Sequence, residues 1–218
     1  MTSSFCVARI DKNWLGTKKP VRSKRHWVKR YSELLPTSEH QFVLQSWDTA
    51  SKGGPDNDWS VCTAWIFSKN KLWYLVDVWR KRVDYPALKA AVLSQAKKWK
   101  TRRVLVEDSG AGTALVQELR GQVHGIKPVK PEGDKASRMA VASAKFEAGQ
   151  VFLPERAPWL PDLESELFVF PASRHDDQCD SISQALISTN ISFWEMMSPE
   201  DWQRALAQAG RPRPRRYF

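Results

Sequence analysis
The chain has 218 residues, 34 of them Lys or Arg against 24 Asp or Glu, for a net charge of +10. With 42% apolar and 27% charged residues it has the composition of a water-soluble globular protein, large enough for one domain with extensions. No apolar run has the length of a bilayer span, and Met1–Asn13 has no signal-peptide core, so an exported or membrane protein is not expected. The basic balance favours a polyanionic partner, nucleic acid first.

Residues 1–40 are expected to be a basic arm or linker. Lys18, Lys19, Arg22, Lys24, Arg25, Lys29 and Arg30 crowd together there without apolar periodicity. Gln41–Asp48 (QFVLQSWD) is a short apolar run rich in β-formers and predicts a buried strand; Ser51–Asp58 (SKGGPDND) predicts a loop. Trp59–Phe67 and Lys71–Trp79 predict two further strands joined by a turn at Lys69–Asn70, completing an antiparallel meander. Asp84, with Pro86 in the first turn, predicts a capped helix through Leu88, Val92, Gln95 and Trp99. Arg103–Glu107 predicts a strand, Thr113–Arg120 a helix closed by Gly121, and His124–Val129 another strand. Asp134 predicts the cap of a helix running to Ala148 and stopped by Gly149. Val151–Leu153 predicts a brief strand, and Leu160–Phe168 and Asp176–Thr189 predict helices, the last with Ile182, Ala185 and Leu186 on its apolar side. The sum is an α/β chain: three antiparallel strands followed by parallel strands in one mixed sheet, flanked by helices. The compact domain is expected over 41–195, with a basic tail at 196–218 that ends in RPRPRR.

Cys6, Cys62 and Cys179 are widely spaced and form no CxxC pair, which argues against a zinc site or disulfide framework. Cys62 and Cys179 read as small buried apolar side chains. Among the 11 tryptophans, Trp65, Trp73, Trp79 and Trp99 fall within predicted elements and are expected in the core. Trp14 and Trp27, in the basic arm, are candidates for stacking on nucleic acid.

The carboxylates point to chemistry. Asp48 and Glu107 each close an apolar strand, and a carboxylate there is costly unless a cation compensates it. Asp176, Asp177 and Asp180 in HDDQCD form a third acidic group, in which 177 and 180, or 176 and 180, share one helix face. Acids that meet repel one another, and hard divalent cations such as Mg2+ or Mn2+ remove the conflict while leaving positions open for water and phosphate. Two such ions about 4 Å apart serve phosphodiester hydrolysis. Asp77, mid-strand, reads as half of a structural ion pair, and Asp58, in the loop after Asp48, is an auxiliary candidate within reach of the site.

The segments SWDTASKGGPDNDWSVCTAW, VWRKRVDYPALKAA, VLVEDSGAGTALVQELR, VKPEGDKASRMAVASAKFEAGQVFLP and HDDQCDSISQAL, in this order, resemble the nuclease domain of phage terminase large subunits from about Gln41 to Thr189. The resemblance implies a ribonuclease H-like fold, a two-metal carboxylate site and endonucleolytic cutting of concatemeric double-stranded DNA. Portal, small terminase or an ATPase subunit in trans would be partners, in the cytoplasm of the infected bacterium. By residue, it implies Asp48, Glu107 and Asp177 as the catalytic acids. Asp176 is a close alternative or co-ligand, and Asp180 a lesser metal candidate. Lys135 and Arg138 match a basic pair that grips phosphates, with Lys24 and Arg25 adding DNA contacts from the arm. His175 either orients an acid or the leaving group, or is a plain surface histidine. No GxxxxGK[ST] loop occurs, so ATP hydrolysis by this chain alone is not expected. An excised domain, a split gene product and a remnant all remain open. Two rival functions also stay open: a junction resolvase on the same fold, and a non-catalytic module docking DNA or portal.

Overall fold
The computed structural model describes residues 25–50 and 59–188. Strands β2 (His40–Asp48), β3 (Ser60–Ser68) and β4 (Trp73–Lys81) form the expected antiparallel meander. The β3–β4 turn is longer than expected, because Lys71 takes φ 64 and Ser68 Oγ accepts from Leu72 N–H; β4 therefore starts at Trp73. Then follow α1 (Tyr85–Lys98), β5 (Arg103–Glu107), α2 (Ala111–Leu119), β6 (Ile126–Val129), α3 (Lys135–Glu147), β7 (Val151–Pro154), α4 (Leu160–Leu167) and α5 (Asp177–Ile187). The caps are the expected ones. Asp84 Oδ1 accepts from Ala87 N–H at 3.0 Å at the start of α1, and Asp134 Oδ1 from Ser137 N–H at 2.9 Å at the start of α3. Thr189, where α5 was expected to end, lies outside the described residues, as do Cys6 and Trp14.

One strand was not foreseen. Lys29–Tyr31, inside the stretch expected to be an arm, forms β1 and pairs in parallel with β7. It is a three-residue edge strand whose Lys29 and Arg30 face solvent, so it has no apolar alternation to read. Val28 and the Tyr31 hydroxyl, which donates to Leu75 C=O at 2.7 Å, anchor it.

Among the described residues, seven strands run in the order β1-β7-β4-β3-β2-β5-β6. β5 and β6 extend the meander in parallel on the β2 side, and β7 and β1 on the β4 side. Side chains alternate between the two faces. Trp47, Cys62, Val104 and Val106 meet Leu88, Val92, Leu115 and Leu119 of α1 and α2 in one core. Ser46 and Thr63, on the other face, meet α5, which also packs against α3 and α4. Cys62 and Cys179 are buried and free, as expected of small apolar side chains. Trp65 and Trp73 are buried and Trp79 packs against the core, while Trp99 is half-buried with its Nε1–H on Asp77 at 3.0 Å. Lys98 completes the ion pair expected for Asp77, at 2.5 Å. Trp27 is half-buried, edge-on to His26.

Candidate active site
β2 and β5 are neighbouring parallel strands, and their ladder ends with Trp47 opposite Val106. The next residues are Asp48 and Glu107. Trp47 and Val106 point into the α1–α2 core, so the pleat turns both acids to the α5 face, at the carboxyl ends of their strands. Asp48 also pairs with Val61 of β3, which pairs with Arg80 of β4. This row places Arg80 on the same face. Glu107 is steadied by Ser109, whose hydroxyl donates to Oε1 at 3.3 Å. Gly112, in the first turn of α2, lies so close that a Cβ there would stand 2.1 Å from Glu107 C=O.

α5 brings the third acidic group against this row. The Asp48 carboxyl is pushed well above the usual carboxylate range, first by desolvation and then by the negative fields of Glu107, Asp180 and Asp177. The strand-end acids and the helix acids thus share one electrostatic pocket. Burial also raises Asp177, and the charge of Asp176 adds to it; Arg80 and His175 pull it down. Among the described residues, no three His, Cys, Asp or Glu side chains stand close enough together to hold a metal as they are. The basic partners of the acids account for part of this. Arg138 contacts Asp180 Oδ1 at 2.7 Å, and Lys135 contacts both Asp180 Oδ2 and Asp176 Oδ1 at 2.7 Å. Desolvation works against the Lys135 ammonium, but its bonds to these two acids outweigh that and hold it charged. Both oxygens of Asp180 are therefore committed, whereas Asp177 has Arg80 at 4.0 Å as its ion-pair partner among the described residues.

The donor set is all carboxylate oxygen, the chemistry that suits a hard divalent cation. Asp48 is raised first by burial and then by Glu107, Asp180 and Asp177, with Lys135 opposing them, so a cation there would meet desolvated, mutually repelling carboxylates. The residues therefore fit a metal of this class.

Two residues of this site were missed by reading the sequence. Glu166 of α4 is buried and accepts from Gln178 N–H at 2.7 Å, Cys179 N–H at 3.2 Å and the Gln178 side-chain amide at 2.8 Å. It caps α5 from another helix, although burial still holds its carboxyl above the usual range against these bonds. Arg80 lies 3.6 Å from Glu166 and stacks on Trp59, 4.4 Å from the ring centre. A signal for Glu166 existed: it lies on the same side of α4 as Leu163 and Leu167, both buried. Of the remaining candidates, Arg25 is exposed and lies over the Phe168 ring at 4.8 Å. His175 is half-buried. Lys24 and Asp58 lie outside the described residues.

The terminase RNaseH-like domain model matches residues 45–189, a span that contains all of these acids. The chain belongs to that family. The terminase domain also resembles solved structures in fold. The large terminase nuclease of thermophilic phage G20c with bound cobalt is 16% identical, with a TM-score of 0.59 over 79% of this chain and 98% of that one. The same nuclease has been solved with bound magnesium and with bound zinc. The large terminase nuclease domain of Thermus phage P74-26 is 15% identical, with a TM-score of 0.55 over 77% of this chain and 94% of that one. The large terminase of another thermophilic bacteriophage, in complex with ADP, is 12% identical with a TM-score of 0.56, and the match covers 75% of this chain but 43% of that one. No curated protein matches the chain. The mixed sheet of this terminase domain is thus ribonuclease H-like, as expected.

Proposed function
We propose that this terminase domain is a divalent-metal-dependent endonuclease that cuts concatemeric double-stranded DNA during phage genome packaging. The reading rests on one observation: Glu107 from β5 and Asp177 and Asp180 from α5 all act on the carboxyl that closes β2, that of Asp48. Asp48, Glu107 and Asp177 would hold Mg2+ or Mn2+, two ions in all, while Lys135 and Arg138 occupy the oxygens of Asp180 before metal enters. Bound there, such ions polarise the phosphate and lower the pKa of a bound water.

The chain's own residues supply the rest. Lys135, Arg138 and Arg80 border the acids with positive charge, and Lys135, the most exposed of the three, grips a phosphate beside the scissile bond. His175, whose charge acts on Asp177, orients that carboxylate. Arg25 and Lys24 add salt-sensitive contacts to the DNA backbone that carry no base preference. Portal and small terminase, with an ATPase subunit in trans, are the partners this reading implies, and the infected bacterial cytoplasm is its setting.

A plasmid-nicking assay with Mg2+ or Mn2+ and with EDTA tests the proposal. Wild type should nick with metal and not with EDTA. Asp48→Ala should lose cutting while keeping DNA binding. Cutting by Asp48→Ala at the wild-type rate would remove the assignment. A preference for four-way junctions over linear duplex would make the protein a resolvase. No nicking, together with no thermal stabilisation by Mn2+, would leave a docking module.

A further inference from the structure
The acidic pocket holds a cation of its own. Lys135 opens α3 and reaches Asp176 Oδ1 and Asp180 Oδ2, each at 2.7 Å. Arg138, one turn later, takes Asp180 Oδ1, also at 2.7 Å. The two are held differently. The Arg138 side chain is 14% exposed and also donates to Gly133 C=O at 3.1 Å, so a planar fork is fixed from two directions. The Lys135 side chain is 50% exposed, and both of its partners are pocket acids. Its ammonium also acts on Asp48, opposing the three neighbouring acids.

We infer that Lys135 is a displaceable counter-ion: it neutralises Asp176 and Asp180 while the pocket has no metal, and it yields when a divalent cation binds. The inference rests on the metal-dependent reading above. Crowded carboxylates need a compensating charge to stay ionised. An ammonium on a flexible four-carbon stem provides one charge and can withdraw into water at little cost, whereas a guanidinium clamped by two partners cannot. Arg138 therefore stays on Asp180 Oδ1 throughout the exchange, and the Oδ2 that Lys135 leaves becomes open to the cation. The released ammonium, at the rim of the pocket, is then free to pair with a DNA phosphate. One side chain thus serves the empty site as a counter-ion and the loaded site as a phosphate grip, and metal binding prepares the pocket for its anionic substrate.

The test uses the full chain without DNA. Mn2+ is titrated calorimetrically into wild type, Lys135→Gln and Lys135→Arg, and each is melted in EDTA and in Mn2+. Lys135→Gln should bind Mn2+ about tenfold more tightly, the order expected when a charge-assisted contact no longer has to break first. It should melt below wild type in EDTA and gain more from Mn2+ than wild type does. Lys135→Arg, whose planar fork would hold the same two acids and withdraw less readily, should bind Mn2+ more weakly than wild type. Equal or weaker Mn2+ binding by Lys135→Gln overturns the inference. So does a melting deficit of the same size in EDTA and in Mn2+, which marks a merely structural ion pair. Wild type that takes up no Mn2+ at all overturns the nuclease reading itself, and the counter-ion role with it.

Discussion

Glu166 offers a direct test of how this site is held together. It lies on α4, away from the strand-end acids in sequence, and 4% of its side chain is exposed. Glu166→Ala removes the acceptor of two backbone N–H groups at the start of α5 and of the Gln178 amide, and the ion-pair partner of Arg80. The lost cap costs about 1 kcal/mol. Each buried donor left unpaired adds about 1–3 kcal/mol, and breaking a buried ion pair from one side costs about 3–5 kcal/mol. These terms overlap. They are also offset, because burial already disfavours the ionised Glu166. The net expectation is a loss of about 3 kcal/mol, or on the order of 10 °C in melting temperature for a chain of this size. Glu166→Gln keeps an oxygen for the two N–H groups and should lose only about 1 kcal/mol. Urea unfolding followed by tryptophan fluorescence reads both. Because α5 carries Asp177, Glu166→Ala should also reduce Mn2+-dependent nicking at temperatures where it remains folded. If Glu166→Ala unfolds within about 1 kcal/mol of wild type, the cap across helices does not hold α5, and the reasoning fails.

Other outcomes follow from the same contacts. The folded Asp48 carboxyl is raised by burial and by its acidic neighbours, so in EDTA the protein should lose stability as pH rises through that raised value, and the loss should be absent below the unfolded value near 3.9. Asp48→Asn should therefore be the more stable protein in EDTA at pH 8, with the gap closing toward pH 4; thermal melts across that range would show a constant gap if the reasoning is wrong. Gly112→Ala would place a methyl 2.1 Å from Glu107 C=O and should cost about 3 kcal/mol, read as a lower urea midpoint, and should impair cutting by shifting Glu107. Ser181→Ala removes a hydroxyl that donates to Ser46 C=O at 2.8 Å and accepts from Thr63 N–H at 3.2 Å, and should cost about 1–2 kcal/mol in the same assay.

Much of the architecture was legible because it is written in apolar periodicity. The meander, the helix capped by Asp84 and the helix capped by Asp134 all announce themselves through runs of β-formers or through cap residues placed ahead of them. Asp48 and Glu107 stood out because a carboxylate ending an apolar strand requires a reason. β1 was illegible because an edge strand of Lys29, Arg30 and Tyr31 is held by backbone pairing to β7, and that leaves no trace in side-chain pattern. Arg80 and Glu166 were illegible in their roles for a related reason: Arg80 meets acids of α4 and α5 far along the chain, and Glu166 caps the next helix across the intervening loop, so only the assembled fold brings them together. Lys135 and Arg138 were legible as basic residues of the site, but their pairing with Asp176 and Asp180 was not, since nothing local to α3 or α5 indicates the other helix.

α5 shows how the fold turns sequence into a site. Its Ile182, Ala185 and Leu186 suggested an ordinary amphipathic helix, yet every residue from Gln178 to Leu186 is buried, among them Asp180, Ser181, Ser183 and Gln184. The sheet, α3 and α4 close around it, so its polar face has no water to turn to and must find partners in the protein. Ser181 bonds to Ser46 and Thr63, the Gln184 amide donates to Ser46 Oγ at 2.9 Å, and Glu166 caps the first turn. Apolar packing alone would tolerate a slide of the helix along the sheet, because one methyl contact replaces another at little cost. Hydrogen bonds to Ser46 and Thr63 do not tolerate it, since a shift of one residue would leave buried donors and acceptors unpaired. Ser46 lies two residues before Asp48 on the same face of β2, and Ser181 follows Asp180 in α5. The polar seam therefore fixes the position of the α5 acids relative to Asp48, and its buried polar groups give this helix a single register that a more apolar face would leave open.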